Sequence, residues 1–199
     1  MAPQDRSRET QDRLLATTAA LLAERGYHGA GLSEILRDSG VPKGSLYHHF
    51  PAGKAQLAAA SLRLTGGRVV ARLEQFADRA GSVADGIRAF CDMYVAELRA
   101  SDYRRGCPLA TVAVESAGLD DGVHTEVGVA MAAMVDLLTA RITAEAPATA
   151  DPRGLATEVV AAVEGALLLA KATRSTVPVE TVRDRLTARV TAELRRETT

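Results

Sequence analysis

Apolar residues recur along this chain at helical spacing, and no segment shows the strict alternation of a half-buried β-strand. A stripe of leucines from Ser7 to Arg25 predicts an amphipathic helix that ends at Gly26. Shorter patterns predict a second helix over Leu32–Asp38 and a third over Pro42–His49, with Gly40 breaking the chain between them. The first quarter of the chain is therefore expected to fold as three helices.

Longer and more apolar patterns follow, and they predict six further helices. In chain order these are Gly53–Ala80, a stripe from Val83 to Leu98, Leu109–Ala117 closed by Gly118 and an Asp121-Gly122 turn, a stripe from Val127 to Ile142, the segment "GLATEVVAAVEGALLLAKA" after a Pro147–Pro152 loop, and a helix from Pro178. The predicted fold class is therefore all-α, with about nine helices.

Composition narrows the class of protein that these helices can form. Of the 199 residues, 47% are hydrophobic, which is enough for one large core or two small ones. The stretch from Gln4 to Arg13 lacks the apolar core of a signal peptide, and no apolar run approaches the roughly 20 residues that span a bilayer. Two cysteines provide neither a disulfide framework nor metal-finger spacing. We therefore expect a cytoplasmic protein without membrane contact.

The net charge of the chain is −1, which argues against a general polyanion binder driven by a global positive field. Up to Lys54 the chain carries seven basic and six acidic residues, and the remainder is slightly acidic. Any contact with nucleic acid must therefore come from a local patch of the surface.

The segment Gly40–Phe50, "GVPKGSLYHHF", is unusual because its short helix has only Leu46 as a clear inward anchor. The side chains around that leucine are hydrogen-bonding types, namely Lys43, Ser45, Tyr47, His48 and His49. Two short helices joined by a glycine turn form the core of a helix-turn-helix, whose second helix enters the major groove of DNA. The pattern therefore predicts that this polar face contacts DNA.

The first turn of such a helix lies nearest the base edges, and residues further along reach phosphates. Lys54 opens the next predicted helix, where exposed backbone N–H groups help to hold a phosphate. Arg6 and Arg8 are expected on an unstructured arm before the first helix, from which they reach the backbone or minor groove. The complete predicted DNA-binding set is Arg6, Arg8, Lys43, Gly44, Ser45, Tyr47, His48, His49 and Lys54.

A polar helix face is also typical of ordinary solvated surface, so the spacing alone leaves DNA binding and plain surface both open. His48 and His49 do not form a metal pair, because neighbours on a helix point about 100° apart. We expect neither a metal nor a cofactor in this protein.

The segment "GLSEILRDSGVPKGSLYHHFPAGKAQLA" resembles the DNA-binding part of the TetR family of one-component bacterial repressors. The matching positions are Gly40, Val41, Lys43, Gly44, Ser45, Leu46, Tyr47, His49, Phe50 and Lys54. The loop "HFPAGK" is one residue longer than the common "HFKSK" form, and Leu36 stands where the family often has alanine. The resemblance implies a helix-turn-helix domain over residues 1–52 and a ligand-binding and dimerisation domain over residues 53–199.

Two further segments, "RRGCPLATVAVESAG" and "EGALLLAKA", are similar to the subgroup that includes lincomycin-resistance and flavonoid-responsive repressors. This similarity implies that a small hydrophobic or aromatic inducer relieves repression. It names no particular ligand, because pocket residues vary within such families. A constitutive DNA-binding regulator without a ligand stays open as the alternative.

The apolar stripes from Val83 to Lys171 must bury against one another, and most of their residues are expected to be plain core. A cavity wall is the alternative for a few of them, because methionine adapts to varied ligand shapes and Tyr94 adds a polar group to an apolar stripe. The candidate pocket residues are Phe90, Met93, Tyr94, Cys107, Met131 and Met134.

The segment "GLATEVVAAVEGALLLAKA" is apolar almost all round, and its small residues would let a neighbouring helix approach closely. Together with the helix from Pro178 it predicts a four-helix bundle across a two-fold axis, as the resemblance also implies. The predicted interface residues are Ala162, Gly165, Ala166, Leu169, Val182, Leu186 and Val190. An ordinary buried helix within one subunit is the alternative. A symmetric homodimer would require a near-palindromic operator.

A small all-α enzyme is the competing class of function. The chain lacks a phosphate-binding Gly-Lys-Ser/Thr loop, a His-Glu-x-x-His motif and a carboxylate–histidine run of di-iron spacing. We therefore expect that it is not an enzyme.

Gly66 and Gly67 lie inside the predicted helix from Gly53, where each glycine costs roughly 0.5–1 kcal/mol relative to alanine. Three explanations stay open. They are a break between two helices, close packing against a neighbour, and a hinge through which a ligand changes operator binding.

Overall fold

A computed structural model of the chain describes residues 3–115, 118 and 120–195, with side chains from residue 5 onward. This part of the chain contains nine α-helices and no β-strand, which confirms the predicted all-α class. The helices are α1 Pro3–Gly29, α2 Leu32–Ser39, α3 Lys43–His49, α4 Lys54–Arg79, α5 Val83–Ala100, α6 Pro108–Ala113, α7 Asp121–Glu145, α8 Pro152–Thr173 and α9 Val177–Arg195.

Capping residues explain several of these boundaries. Gly40 adopts the left-handed conformation (φ 64°) that closes α2, a conformation that side chains with a Cβ rarely adopt. The Ser82 side chain accepts a hydrogen bond from the backbone N–H of Asp85 at the start of α5. Asp151 caps α8 in the same way, by accepting from the N–H of Gly154.

The first helix is longer at both ends than the sequence pattern predicted. It begins at Pro3 rather than Ser7, because proline fits the first position of a helix and Asp5 favours the positive end of the helix dipole. Gly26 leaves the helical conformation (φ 71°, ψ −173°), but helical residues resume and α1 extends to Gly29. The predicted end is therefore a kink.

The predictions around α6 and α7 need two corrections. The helix α6 is shorter than predicted and ends at Ala113, while Ser116 and Ala117 lie outside the described residues. Asp121 and Gly122, predicted as a turn, form the first turn of α7. An aspartate is favoured there because its charge interacts with the helix dipole.

Gly66 and Gly67 do not interrupt α4, which is one helix from Lys54 to Arg79. The explanation of a plain break between two helices is therefore wrong. A Cβ on Gly67 would meet nothing within 4 Å, so close packing does not require this glycine. The hinge stays a prediction.

The chain folds into two compact units, and each unit is formed by two separate segments of the sequence. The first unit comprises Met1–Gly67 and Cys107–Val129, and the second comprises Arg68–Gly106 and Ala130–Thr199. This grouping differs from the predicted division between residues 52 and 53. The start of α4 and the whole of α6 belong to the same unit as the three N-terminal helices.

In the first unit, α1 packs against α2, α3 and α6. The hydroxyl of buried Ser61 on α4 donates to the carbonyl of Leu15 on α1 at 2.9 Å. The core is rich in leucine, and its buried members include Leu14, Leu22, Ile35, Leu46, Leu57, Leu62, Leu109 and Val112. This core holds α2 and α3 in place.

In the second unit, α5 packs against α8 and α9, which also pack against each other. Ion pairs join α5 to α9, among them Arg183 to Asp92 at 2.6 Å and Arg99 to Glu180 at 3.0 Å. Surface pairs contribute at most about 1 kcal/mol each, so the stability of this unit rests on its apolar core. That core includes Ile87, Phe90, Leu98, Met134, Ile142, Leu167 and Val190.

Among the described residues, α7 is the helix that is long and apolar enough to span a membrane. Its most apolar 18-residue window has a mean hydropathy of 1.5, and 28% of that window is buried. By length and composition alone this helix could cross a bilayer. Charged residues, among them Asp136 and Arg141, interrupt its apolar sequence. Core helices of other proteins share such compositions, so this property assigns no membrane role.

Candidate nucleic-acid interface

The two helices of the predicted helix-turn-helix are joined by three residues. Gly40 ends α2 in the left-handed conformation, and Pro42 precedes α3 in an extended conformation (φ −61°, ψ 144°). Proline disfavours a helical conformation at the residue before it, so Val41 does not favour continuing α2. The sequence of the turn thus separates the two helices sharply.

The core beneath these helices is small. Leu46 and Ile35 are fully buried, and Val41 and Phe50 are 3% exposed. Leu32 and Leu36 of α2 are half-buried. With Leu46 as its buried residue, α3 turns its other side chains outward.

The outward side of α3 carries the predicted DNA-binding side chains. Lys43, Gly44, Tyr47 and His48 are exposed, and Ser45 and His49 are half-buried. The rings of the two histidines contact each other edge to face, with 5.2 Å between centroids. We call these six residues the α3 face.

A concave surface of about 360 Å³ joins the start of α1 to the α3 face. It is lined by Arg6, Ser7, Thr10, Gly44, Ser45, His48 and His49. Ser7 and Thr10 were not predicted, although both are small hydroxyl residues within one helical turn of Arg6. The Thr10 hydroxyl donates to the Arg6 carbonyl at 2.8 Å.

The unstructured arm predicted for Arg6 and Arg8 is wrong, because both residues lie within α1. The helix directs them to different sides. Arg6 lines the concave surface beside α3, whereas Arg8 lines a separate surface with Asp5, Glu9, Asp12, Arg13 and Ala16. The charge of Arg8 thus sits among three carboxylates and is the weakest member of the predicted set.

Lys54 begins α4 and is half-buried. Its ammonium lies 4.4 Å from the centroid of the Tyr27 ring, a cation–π geometry. Burial lowers the pKa of Lys54 below its ordinary value, and the Glu115 carboxylate opposes that shift. Tyr27 and Glu115 were not predicted, because they are distant from the motif in sequence.

The Tyr47 ring lies near Gly53, just before α4, and near the Lys43 ammonium. Gly53 has φ 70°, and a Cβ placed there would lie 3.5 Å from the Tyr47 ring. The Lys43 ammonium lies 6.0 Å from the centroid of that ring. The tyrosine ring therefore lies between α3 and the start of α4, with 42% of the residue exposed.

Arg37 on α2 and Arg25 on α1 are already paired with carboxylates of α2. Arg25 contacts the Glu34 carboxylate at 2.8 Å, and Arg37 contacts Glu34 at 3.1 Å and Asp38 at 2.8 Å. Those carboxylates raise the pKa of Arg37. Positive charge available to a polyanion therefore concentrates beside α3 rather than along α2.

The predicted ligand-pocket residues do not all belong to one unit. Cys107 is buried in the first unit, and the other five lie in the second. Phe90, Tyr94 and Met134 are buried, and Met93 and Met131 are half-buried. The rings of Phe90 and Tyr94 meet edge to face, with 5.1 Å between centroids.

Phe90 and Met134 also line an apolar cavity in the second unit, together with Leu73, Ile87, Leu138, Val159, Val160 and Val163. Its volume is about 10 Å³, which is at the lower limit for one water molecule. These side chains therefore fill the interior as core residues do.

The predicted dimer-interface residues divide into two groups. Ala166, Leu186 and Val190 are 2%, 5% and 0% exposed, because their own subunit already covers them. Ala162, Gly165 and Val182 are half-buried, and Leu169 is 58% exposed. Although the sequence of α8 is apolar almost all round, the helix is not fully buried in the isolated subunit, since Leu168 and Leu169 are both exposed.

Family models match both parts of the chain. Residues 14–61 match the model for bacterial regulatory proteins of the tetR family, and residues 83–185 match the C-terminal domain of LmrA/YxaF-like transcriptional regulators. The first match includes the whole helix-turn-helix. The second covers α5 through part of α9.

Curated relatives match over most of their length. An uncharacterized HTH-type transcriptional regulator of Mycobacterium tuberculosis is 33% identical over 92% of this chain and 95% of its own. The HTH-type transcriptional regulator LmrA of Bacillus subtilis is 25% identical over 85% of this chain and 90% of its own.

Solved structures share the fold. The reduced form of Escherichia coli NemR superposes with a TM-score of 0.78 at 27% identity, over 89% of this chain and 95% of that one. The regulatory protein TetR from Rhodobacter sphaeroides gives a TM-score of 0.80 at 26% identity, over 89% and 96% of the two chains.

Proposed function

The chain belongs to the TetR family of DNA-binding transcriptional regulators, and we propose that it represses transcription from a near-palindromic operator until a small hydrophobic or aromatic ligand releases it. It is a regulator and not an enzyme, as are the proteins it resembles. It would act in the cytoplasm, where operator DNA and inducer meet.

The observation that carries the proposal is the concave surface beside α3. Arg6 comes from a helix more than 30 residues away in sequence, yet it lines the same surface as Gly44, Ser45, His48 and His49. A guanidinium at the rim and small or hydroxyl residues at the first turn of α3 suit a phosphate and a base edge, respectively. Ordinary solvated surface requires no such convergence.

Phosphate contacts would come from side chains around the base-reading helix. Tyr47 and Lys43 lie at one side of α3, and Lys54 lies at the start of α4, where backbone N–H groups also point outward. Such contacts fix the register of the protein on DNA without reading its sequence. Ser45 would read a base edge.

The exposed residues of α8 support a homodimer. Leu168 and Leu169 are 41% and 58% exposed on a helix whose small residues allow close approach. Gly165 and Ala162 lie one and two turns before them and are half-buried. We therefore retain Ala162, Gly165, Leu169 and Val182 in the proposed interface. Buried behind these residues, Ala166, Leu186 and Val190 would belong to the core that supports the interface.

A ligand in the second unit would need space that its apolar core does not offer. Ligand pockets usually hold about 300–1,000 Å³, whereas the cavity at Phe90 and Met134 has about 10 Å³. Binding would therefore favour an expanded conformation, which unbranched methionine side chains tolerate. The same closed core favours the second candidate, a regulator that binds DNA without any ligand.

Selection from a random double-stranded DNA library tests the proposal. The wild-type protein is expected to enrich a near-palindromic site, with half-sites one helical turn or more apart. Compounds that raise the melting temperature of the protein are then added to the complex in a gel shift. Release of the DNA supports an inducer, and retention with every such compound supports the constitutive regulator. Failure to enrich any sequence would contradict DNA binding.

A further inference from the structure

A carboxylate of the first unit fastens the end of α1. Glu115 lies just beyond α6, and its Oε2 accepts hydrogen bonds from the backbone N–H groups of Tyr27 at 2.6 Å and His28 at 3.1 Å. Both N–H groups follow the kink at Gly26, where α1 leaves the helical conformation. One side chain thus holds the backbone of the last turn of α1.

The kink itself is shaped to receive this carboxylate. Gly26 has φ 71°, a conformation that favours glycine, and a Cβ at this position would overlap the Glu115 carboxylate. Glycine is therefore needed here both for the backbone angle and for the approach of Glu115. Two independent features of the sequence, Gly26 and Glu115, build one contact.

Tyr27, whose backbone N–H donates to Glu115, contacts Lys54, one of the proposed DNA-binding residues. The Tyr27 ring lies under the Lys54 ammonium at 4.4 Å, and a cation–π contact of this kind fixes the position of the charge it holds. The pKa of Lys54 is lowered by burial, and the negative charge of Glu115 opposes that effect. Glu115 thus acts on Lys54 through the ring and through its charge.

We infer that Glu115 is a positioning residue for operator binding: by fixing the Tyr27 ring, it holds the Lys54 ammonium where a DNA phosphate can reach it. The inference rests on the proposed function, because it presupposes that Lys54 contacts phosphate. Glu115 itself need not touch DNA. Its effect on operator affinity passes through Lys54.

The second unit provides a matched control for the hydrogen bond. Glu145 accepts from the backbone N–H of Val83 at 2.6 Å, which is the same chemistry at the same distance. Removing it also costs the fold a backbone hydrogen bond, but the second unit contains none of the proposed DNA-binding residues. A purely structural role predicts similar consequences for both carboxylates.

The test uses a fluorescent duplex enriched from a random library by the wild-type protein. Glu115→Ala is expected to weaken its binding by about tenfold, the size of one charge-assisted hydrogen bond. The dependence of log K on log salt should become shallower, by about one for each phosphate that Lys54 no longer neutralises. Glu115→Gln should stay within about threefold of wild type, because its amide oxygen can accept the same two hydrogen bonds.

A double-mutant cycle isolates the path through Lys54. Lys54→Ala alone should weaken binding by about as much as Glu115→Ala. Adding Glu115→Ala to Lys54→Ala should cause no further loss, whereas Glu145→Ala should leave affinity unchanged. If Glu115→Ala does not fold by circular dichroism, Tyr27→Leu replaces it, because that change removes the ring and keeps both backbone hydrogen bonds.

An equal loss from Glu115→Ala with and without Lys54 would overturn the inference, and so would wild-type affinity of Glu115→Ala. Wild-type affinity of Lys54→Ala would also overturn it, since that lysine would then bind no phosphate. Failure of the proposed function is distinguishable, because the wild-type protein would then enrich no duplex at all.

Discussion

The two compact units differ in what they leave open to other molecules. In the first, α3 has one buried anchor, Leu46, and exposes Lys43, Tyr47 and His48 around it. In the second, apolar side chains such as Phe90 and Met134 close on a cavity of about 10 Å³. The first unit therefore presents a preformed surface, whereas the apolar core of the second must rearrange before it can admit a ligand.

This difference predicts opposite responses to substitution. Changes on the α3 face should alter DNA binding while the free energy of unfolding stays nearly constant, because the affected side chains contact little of the core. Changes in the interior of the second unit should first reduce stability.

Within the second unit, Leu186→Glu and Leu169→Glu separate buried from exposed positions. Leu186→Glu should lower the free energy of unfolding by roughly 3–5 kcal/mol, because it buries an unpaired charge. Leu169→Glu should leave the subunit folded but dissociate the proposed dimer, since this side chain is 58% exposed. Denaturant titration and light scattering measure the two effects. An intact Leu169→Glu dimer would place the interface elsewhere.

Phe90→Ala and Tyr47→Ala compare an aromatic ring from each unit. Phe90→Ala should cost about 3–5 kcal/mol of stability, because the ring is 4% exposed and leaves a cavity. Tyr47→Ala should cost less than about 1 kcal/mol of stability and weaken DNA binding instead. Urea denaturation and fluorescence anisotropy provide the numbers. A loss below about 1 kcal/mol for Phe90→Ala would mean that its surroundings collapse readily or already admit a ligand.

Ser45→Ala tests whether the first unit reads a base edge through this hydroxyl. The serine hydroxyl lines the concave surface at the first turn of α3, so its loss should change base preference by about 1–3 kcal/mol at one or two operator positions. Overall affinity for the best site should fall less. Repeating the library selection with the variant tests this directly. Identical preferred sequences for both proteins would remove Ser45 from the base-reading set.

Gly67→Ala should have the smallest effect. Because Gly67 lies inside continuous α4 with open space around it, alanine should stabilise the protein by about 0.5–1 kcal/mol. If the glycines act as a hinge, the variant should also change how far an inducer weakens operator binding, with inducer affinity unchanged. Calorimetry and a gel shift with inducer separate the two outcomes, and unchanged coupling would exclude the hinge at Gly67.

The helices were predictable because their apolar spacing and their glycine and proline breaks are local features. The α3 face was predictable for the same reason, as Lys43 through His49 are consecutive in sequence. Leu46 is the one position in that helix that an amphipathic pattern must bury. The local sequence was therefore enough to predict both α3 and the side chains that it exposes.

Contacts between distant segments were not predictable from local patterns. Glu115 meets Tyr27 across 88 positions of sequence, and nothing in either segment indicates the other. Arg6 and Arg8 were assigned to an arm because charged residues before the first leucine stripe look unstructured, whereas Pro3 and Asp5 start a helix. In the second unit, interior and interface share one composition, so Leu186 and Leu169 looked alike.

The salt dependence of DNA binding tests the central claim most directly, namely that Lys54, beside the α3 face, neutralises a phosphate of the operator. For the wild-type protein and its enriched duplex, log K should fall linearly with log salt. Lys54→Ala should bind more weakly with a shallower slope, by about one for each phosphate no longer neutralised and thus about two for a dimer on two half-sites. An unchanged slope together with unchanged affinity would contradict the account.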